Sequence, residues 1–231
     1  MKRNYTITTR LIAAFALAAA VGWATTMVDI NLAKTVELTE NAFVGKVIDV
    51  EITETALGAG ERVTVEVSEG LLGGYQAGDK AIWTQYRSSE RTRLPGMPQY
   101  QTGKEYLIFL SASAPNSPYK SAVGLGQGSF TVHRNKFNGE TYVINEFRNR
   151  ALLKDLDEAA LNDAVASFEA AERAAGRSVS ETPFALTHGP DGTLELSSLS
   201  RAVKAIKAVK TPSATFTKSG GTTQDWSETF E

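Results

Sequence analysis

The hydrophobic period changes midway along this chain, and that change limits the fold more than any other feature. Between residues 42 and 146 the apolar residues mostly alternate. Beyond residue 152 they recur every three or four positions. Alternation marks strands with one buried face, and the longer spacing marks amphipathic helices. A chain that does the first and then the second is α+β.

The alternating part divides at its glycines and polar runs. Asp29–Asn41 comes before it and reads as a short helix, with Asp29 as N-cap and Leu32 and Val36 facing inward. Ala42–Ile52 then alternates, with Val44, Ile48, Val50 and Ile52 on one face. Arg62–Ser68 puts Val63, Val65 and Val67 inward and Thr64 and Glu66 outward. With the glycine-rich Leu57–Glu61 between them, these two runs form a long hairpin. Asp79–Gln85 is a third strand, and Tyr86–Gly103 is a long polar loop. Lys104–Leu110 is apolar almost throughout, as in a strand buried on both faces. Ala122–His133 is a strand punctuated by Gly124, Gly126 and Gly128, which signal a bend or a close backbone approach. Asn138-Gly139 is a hairpin turn leading into Thr141–Glu146.

The second half is helical over Leu152–Gly176, with Gly176 as the stop, and again over Ser198–Lys210. The apolar stripe of the latter is Leu199, Ala202, Val203, Ile206 and Val209. Thr211–Glu231 is rich in Thr, Ser and Gly and reads as a disordered tail. Five or six strands with glycine kinks, followed by helices, indicate a small antiparallel barrel with flanking helices. An open sheet backed by two helices is the competing arrangement. The organisation is then a leader at 1–24, a barrel with a short N-terminal helix at 25–150, a helical segment packing on it at 151–210 and a tail at 211–231.

The leader has the three parts of a secretory signal. Lys2, Arg3 and Arg10 are its positive region, Leu11–Val21 its apolar run and Gly22-Trp23-Ala24 its small-residue cleavage site. A second possible cut follows Ala20. A membrane anchor would need about 20 apolar residues, and Leu11–Ala24 falls short. Cleavage implies a periplasmic or extracellular chain with no stable membrane insertion. It removes three cations and no anions, moving the formal net charge from −2 to −5.

Composition excludes several classes of function. There is no cysteine, so disulfide scaffolds, thiolate metal sites and cysteine nucleophiles are impossible. The balance of 24 basic and 26 acidic residues does not suit a nucleic-acid binder.

The segments ENAFVGKVIDVEI, RVTVEVSEGLLGGYQAGDKAIW, TGKEYLIFLSAS and VGLGQGSFTV, with the later LSRAVKAIKAV, resemble secreted bacterial proteins with an OB-like barrel. Those proteins are similar to the netrin-like modules of tissue inhibitors of metalloproteinases. The resemblance covers roughly residues 40–145 plus the last helix. It implies a barrel and secretion. Inhibitors of that kind chelate their target's zinc through an N-terminal cysteine, which this chain lacks, so the resemblance does not carry inhibition with it.

No catalytic motif stands out. The two histidines, His133 and His188, read as a strand-surface and a turn residue. Ser129, Thr131 and His133 share one strand face, which keeps a hydrolase open as an alternative, but no Gly-x-Ser-x-Gly elbow surrounds Ser129. Asp155, Asp157 and Glu158 suit a helix start without metal. No cofactor or metal site is expected. The basic stripe Arg201, Lys204, Lys207 and Lys210 reads as a solvated face. Trp226 and Phe230 offer a docking motif in an otherwise spacer-like tail.

The candidate binding patch is Tyr86, Arg87, Arg91, Arg93 and Tyr100, in and around the long loop, because Arg with Tyr suits sugars or peptides. These features together describe an exported, non-enzymatic, monomeric binding domain for a protein or glycan, with a protease-inhibitor-like role as its narrower form. A structural envelope component, with the tail as tether, is the third alternative.

Overall fold

The computed structural model describes residues 28–87, 96–209 and 215–216. The leader, Arg91 and Arg93, and all of the expected tail except Thr215 and Phe216 lie outside the described residues.

The fold is α+β. Its elements run α1 (Leu32–Leu38), β1 (Thr39–Thr55), β2 (Gly58–Leu72), β3 (Lys80–Tyr86), β4 (Glu105–Ser111), β5 (Ser129–Arg134), β6 (Thr141–Asn145), α2 (Glu158–Ala174), β7 (Leu194–Glu195) and α3 (Leu196–Lys207). The strands form one antiparallel sheet in the order β3-β2-β1-β4-β5-β6-β7. Seven strands replace the expected five or six, because Leu194–Glu195 pairs with β6. The sheet is open, so the closed barrel gives way to the competing arrangement of a sheet backed by helices. One backbone bond, Lys120 N–H to the Thr84 carbonyl at 2.8 Å, joins the loop after β4 to β3.

Each face of the sheet carries its own core. On the helix side, Ala42, Val44, Leu107, Phe109, Phe130 and Val143 meet α1, α2 and α3. On the opposite side, Phe43, Val47, Val63, Val65, Val67, Ala81 and Trp83 gather with Tyr100, Tyr106 and Ile108. Burying an apolar side chain contributes about 1.5–3 kcal/mol, so neither core is minor. β4 feeds both, and Tyr106 through Leu110 are all buried, as its continuous apolar run requires.

β1 departs from the simple alternation. Its register against β2 shifts at Ala42/Phe43, Val44/Gly45 and Val47/Asp49. Such bulges re-aim side chains. The four residues expected on one face are therefore divided. Val44 enters the helix-side core, Val50 packs on the opposite core, Ile48 is half-buried and Ile52 is exposed. The first helix starts later than expected, with Asn31 rather than Asp29 as cap, accepting from Lys34 N–H at 3.0 Å.

The glycines after Ala122 make a bend. Leu125–Gly128 is a 3₁₀ turn, and only from Ser129 is the chain a strand. A Cβ on Gly128 would stand 2.5 Å from the Val123 carbonyl oxygen. The helix expected from Leu152 begins at Glu158, where Asp157 caps it by accepting from Ala160 N–H at 3.0 Å. The preceding residues fold as turns, with Arg148, Asn149 and Asp155 at positive φ. Asn149, fully buried, holds that segment by donating to the carbonyls of Val143 and Gly192 and accepting from Asn145 N–H. Phe216 corrects the reading of the tail at one point. It is 1% exposed in the helix-side core, and its carbonyl accepts Asp157 N–H at 2.7 Å.

Candidate functional site

Strand alternation fixes the candidate site. Along β3, Ala81, Trp83 and Gln85 point to the core opposite the helices, and Arg87 follows at the same parity just past the strand. Glu61 lies directly across from Gln85, and Ile52 directly across from Glu61, so Ile52, Glu61 and Gln85 form one cross-strand row. Val50, Val63 and Trp83 form the next row inward. Tyr100 closes over Trp83 edge to face at 5.3 Å and meets Tyr106 at 5.2 Å.

The interior of this corner is polar and incompletely paired. Gln85 Nε2 donates to Glu61 Oε2 at 2.6 Å and to the Pro98 carbonyl at 3.2 Å. Arg87 pairs with Glu61 at 3.8 Å, both side chains being mostly covered. Yet Trp83 Nε1, Gln85 Oε1, Arg87 Nε and the Tyr100 hydroxyl have no hydrogen-bond partner among the described residues. Trp83, Gln85 and Tyr100 are only 4%, 3% and 6% exposed. An unpartnered buried polar atom costs about 1–3 kcal/mol. Four in one corner call for something that pairs with them.

Electrostatics agree with burial. Desolvation lifts the Tyr100 hydroxyl well above the ordinary tyrosine range. Ser129 beside it works the other way and favours the phenolate. Tyr106 is raised by the same desolvation, although Gln101 N–H donates to its hydroxyl at 3.2 Å.

The structure brings together only part of the patch expected from sequence. Arg87 and Tyr100 belong to this corner. Tyr86 does not: it shares the opposite face of β3 with Ile82 and Thr84, and its ring meets Tyr119 at 5.4 Å. Arg91 and Arg93 fall outside the described residues. Sequence reasoning missed Glu61, Trp83 and Gln85. The available signal was Gln85 itself, a polar residue at an inward strand position.

Other candidates do not assemble. His133 is exposed, and no hydrogen bond or ion pair joins it to a carboxylate or to the buried Ser129. His188 Nε2 meets the Asn149 carbonyl at 3.1 Å and serves the turn. Among the described residues no group of histidines and carboxylates is placed to hold a metal. Arg201 and Lys204 are engaged with Glu169 and Glu69, so the basic stripe is partly neutralised. A cleft of about 360 Å³ lies beside Glu146, Arg148 and Arg150. Two of its polar walls are already engaged, because Gln127 bonds Val28 and Ile30 and Asp29 pairs with Lys154.

No helix among the described residues is long and apolar enough to cross a membrane. In comparisons with known proteins, no family model, no curated protein and no solved structure matches the chain.

Proposed function

We propose that the chain is an exported, non-enzymatic binding domain that acts as a monomer in the periplasm or outside the cell, with a protein or glycan as its partner. The observation that carries this reading is the corner of β3, where four buried polar atoms on Trp83, Gln85, Arg87 and Tyr100 lack partners among the described residues. Binding sites keep a few placed polar groups on an otherwise apolar lining, and this corner has that composition. The leader supports export. The scaffold is an OB-like one in which the curled β1–β4 part of the sheet does the work of a barrel. The Lys120–Thr84 bond between the loop after β4 and β3 favours that view. So does the likeness of the strand and glycine pattern to secreted netrin-like modules. A protease-inhibitor role is not part of the proposal, since the chain has no cysteine with which to chelate a protease's zinc.

The test is a pull-down with the tagged chain from periplasm and culture medium, in parallel with the Trp83→Phe variant. Recovery of a partner by the parent chain and its loss with the variant supports the reading. Recovery of no partner, or equal recovery by both, overturns it.

A further inference from the structure

We propose that the corner formed by Glu61, Trp83, Gln85, Arg87 and Tyr100 takes an uncharged, hydroxyl-bearing small ligand, namely the hydroxyl edge of a saccharide. This rests on the binding-domain reading above and names the ligand class for the same site.

Matching the unpaired atoms to a ligand selects that class. Three of them are donors: the Trp83 indole N–H, the Arg87 Nε–H and the Tyr100 O–H. The fourth, Gln85 Oε1, is an acceptor, and Glu61 beside it has further lone pairs. A carboxylate or phosphate satisfies the donors but leaves Gln85 Oε1 unpaired and faces the Glu61 carboxylate. An ammonium satisfies the acceptors and leaves three donors unpaired. A hydroxyl donates and accepts at one atom, so neighbouring hydroxyls meet both kinds of group.

Charge gives the same answer independently. Arg87 and Glu61 neutralise each other at 3.8 Å, each with less than a fifth of its side chain exposed. A net charge added there would be buried without a counterion, which is expensive. An uncharged ligand adds none. The rim is suited to a ligand with an apolar face as well. Ile52, across from Glu61 in the same row, is 55% exposed, and the buried rings of Trp83, Tyr100 and Tyr106 pack edge to face beside these polar groups. Sugars combine hydroxyl edges with C–H faces, and this corner combines unpaired polar atoms with aromatic rings.

The test uses the full chain with Trp23→Phe and Trp226→Phe, which leaves Trp83 as the sole tryptophan. Its emission is followed during titration with glucose, galactose or N-acetylglucosamine, and with acetate and ethylammonium as charged probes. The proposal expects a saturable change with at least one sugar in the millimolar range and none with the charged probes. Tyr100→Phe is then added. It removes a buried hydroxyl that has no partner, so stability at neutral pH holds or rises, while sugar affinity falls about tenfold with the lost bond. A merely structural role for Tyr100 would leave affinity unchanged, and that result overturns the proposal. A response to acetate or ethylammonium instead of the sugars overturns the saccharide class and leaves the binding reading intact. Silence with every probe overturns the saccharide class too, and the pull-down then decides the binding reading separately.

Discussion

Tyr100 ties the fold's interior to a measurable pH dependence. Its hydroxyl is held above the ordinary tyrosine range, first by desolvation and then by Tyr106 and the nearby negative charges of Glu61 and Glu146. In the unfolded chain the same group ionises near the usual value, about 10. A group whose folded value is raised contributes stability that is fully present below the unfolded value. That stability drains away as pH climbs through the window between the two. Tyr106 acts in the same direction. The parent chain should therefore lose stability as pH climbs above about 10, and Tyr100→Phe should lose less. Urea midpoints of both proteins across that range measure the difference. Parallel curves would show that Tyr100 ionises as easily folded as unfolded. Sequence alone pointed to Tyr100 as a binding residue because of its company of arginines. Its burial was not legible, since the rings of Trp83 on β3 and Tyr106 on β4 close around it only once the two strands lie in one sheet.

At the scale of elements, the glycine run Gly124–Gly128 decides where β5 starts. Gly128 packs its backbone against Val123, and a Cβ there would lie 2.5 Å from the carbonyl oxygen and 3.0 Å from the nitrogen of Val123. Neither atom is the end of a flexible side chain, so the turn itself has to move. Gly128→Ala should cost about 1–3 kcal/mol, as overpacking does. Gly74→Ala is the control, because a Cβ there meets nothing within 4 Å. It should stay within about 0.5 kcal/mol of the parent. Equal effects in chemical denaturation would mean that the Val123 contact does not constrain the bend. This bend was legible as a bend, while its 3₁₀ form was not. The clean alternation of Val63, Val65 and Val67 and the stripe residues Leu199, Ala202, Val203 and Ile206 of α3 translated directly into buried faces, while Val209 lies past the helix and is half-buried. β1 did not, because each bulge resets the parity from which faces are counted. The start of α2 was misplaced for a related reason. Leu152 and Leu156 are buried from turns, and periodicity registers burial whichever backbone supplies it.

The whole molecule is held from its far end as well as its middle. The helix-side core gathers α1 from the start of the described chain, the sheet from its centre and Phe216 from near its end. Phe216 was invisible to composition, because one aromatic among Thr, Ser and Gly does not alter the character of a tail. Its ring nonetheless fills core space, and its carbonyl meets the N–H of the residue that caps α2. A chain ending at Thr217 keeps that anchor, and a chain ending at Val209 loses it. The shorter chain should be less stable by about 3–5 kcal/mol, the usual cost of deleting a buried phenylalanine ring. Phe216→Ala in the full chain should reproduce most of that loss. The same pair separates two roles within the C-terminal segment. If the chain ending at Thr217 unfolds with the full-length protein, the residues beyond it add nothing to the fold and are free to serve elsewhere. If both truncations unfold at one urea concentration, Phe216 is not the anchor, and the helix-side core closes without the C-terminal segment.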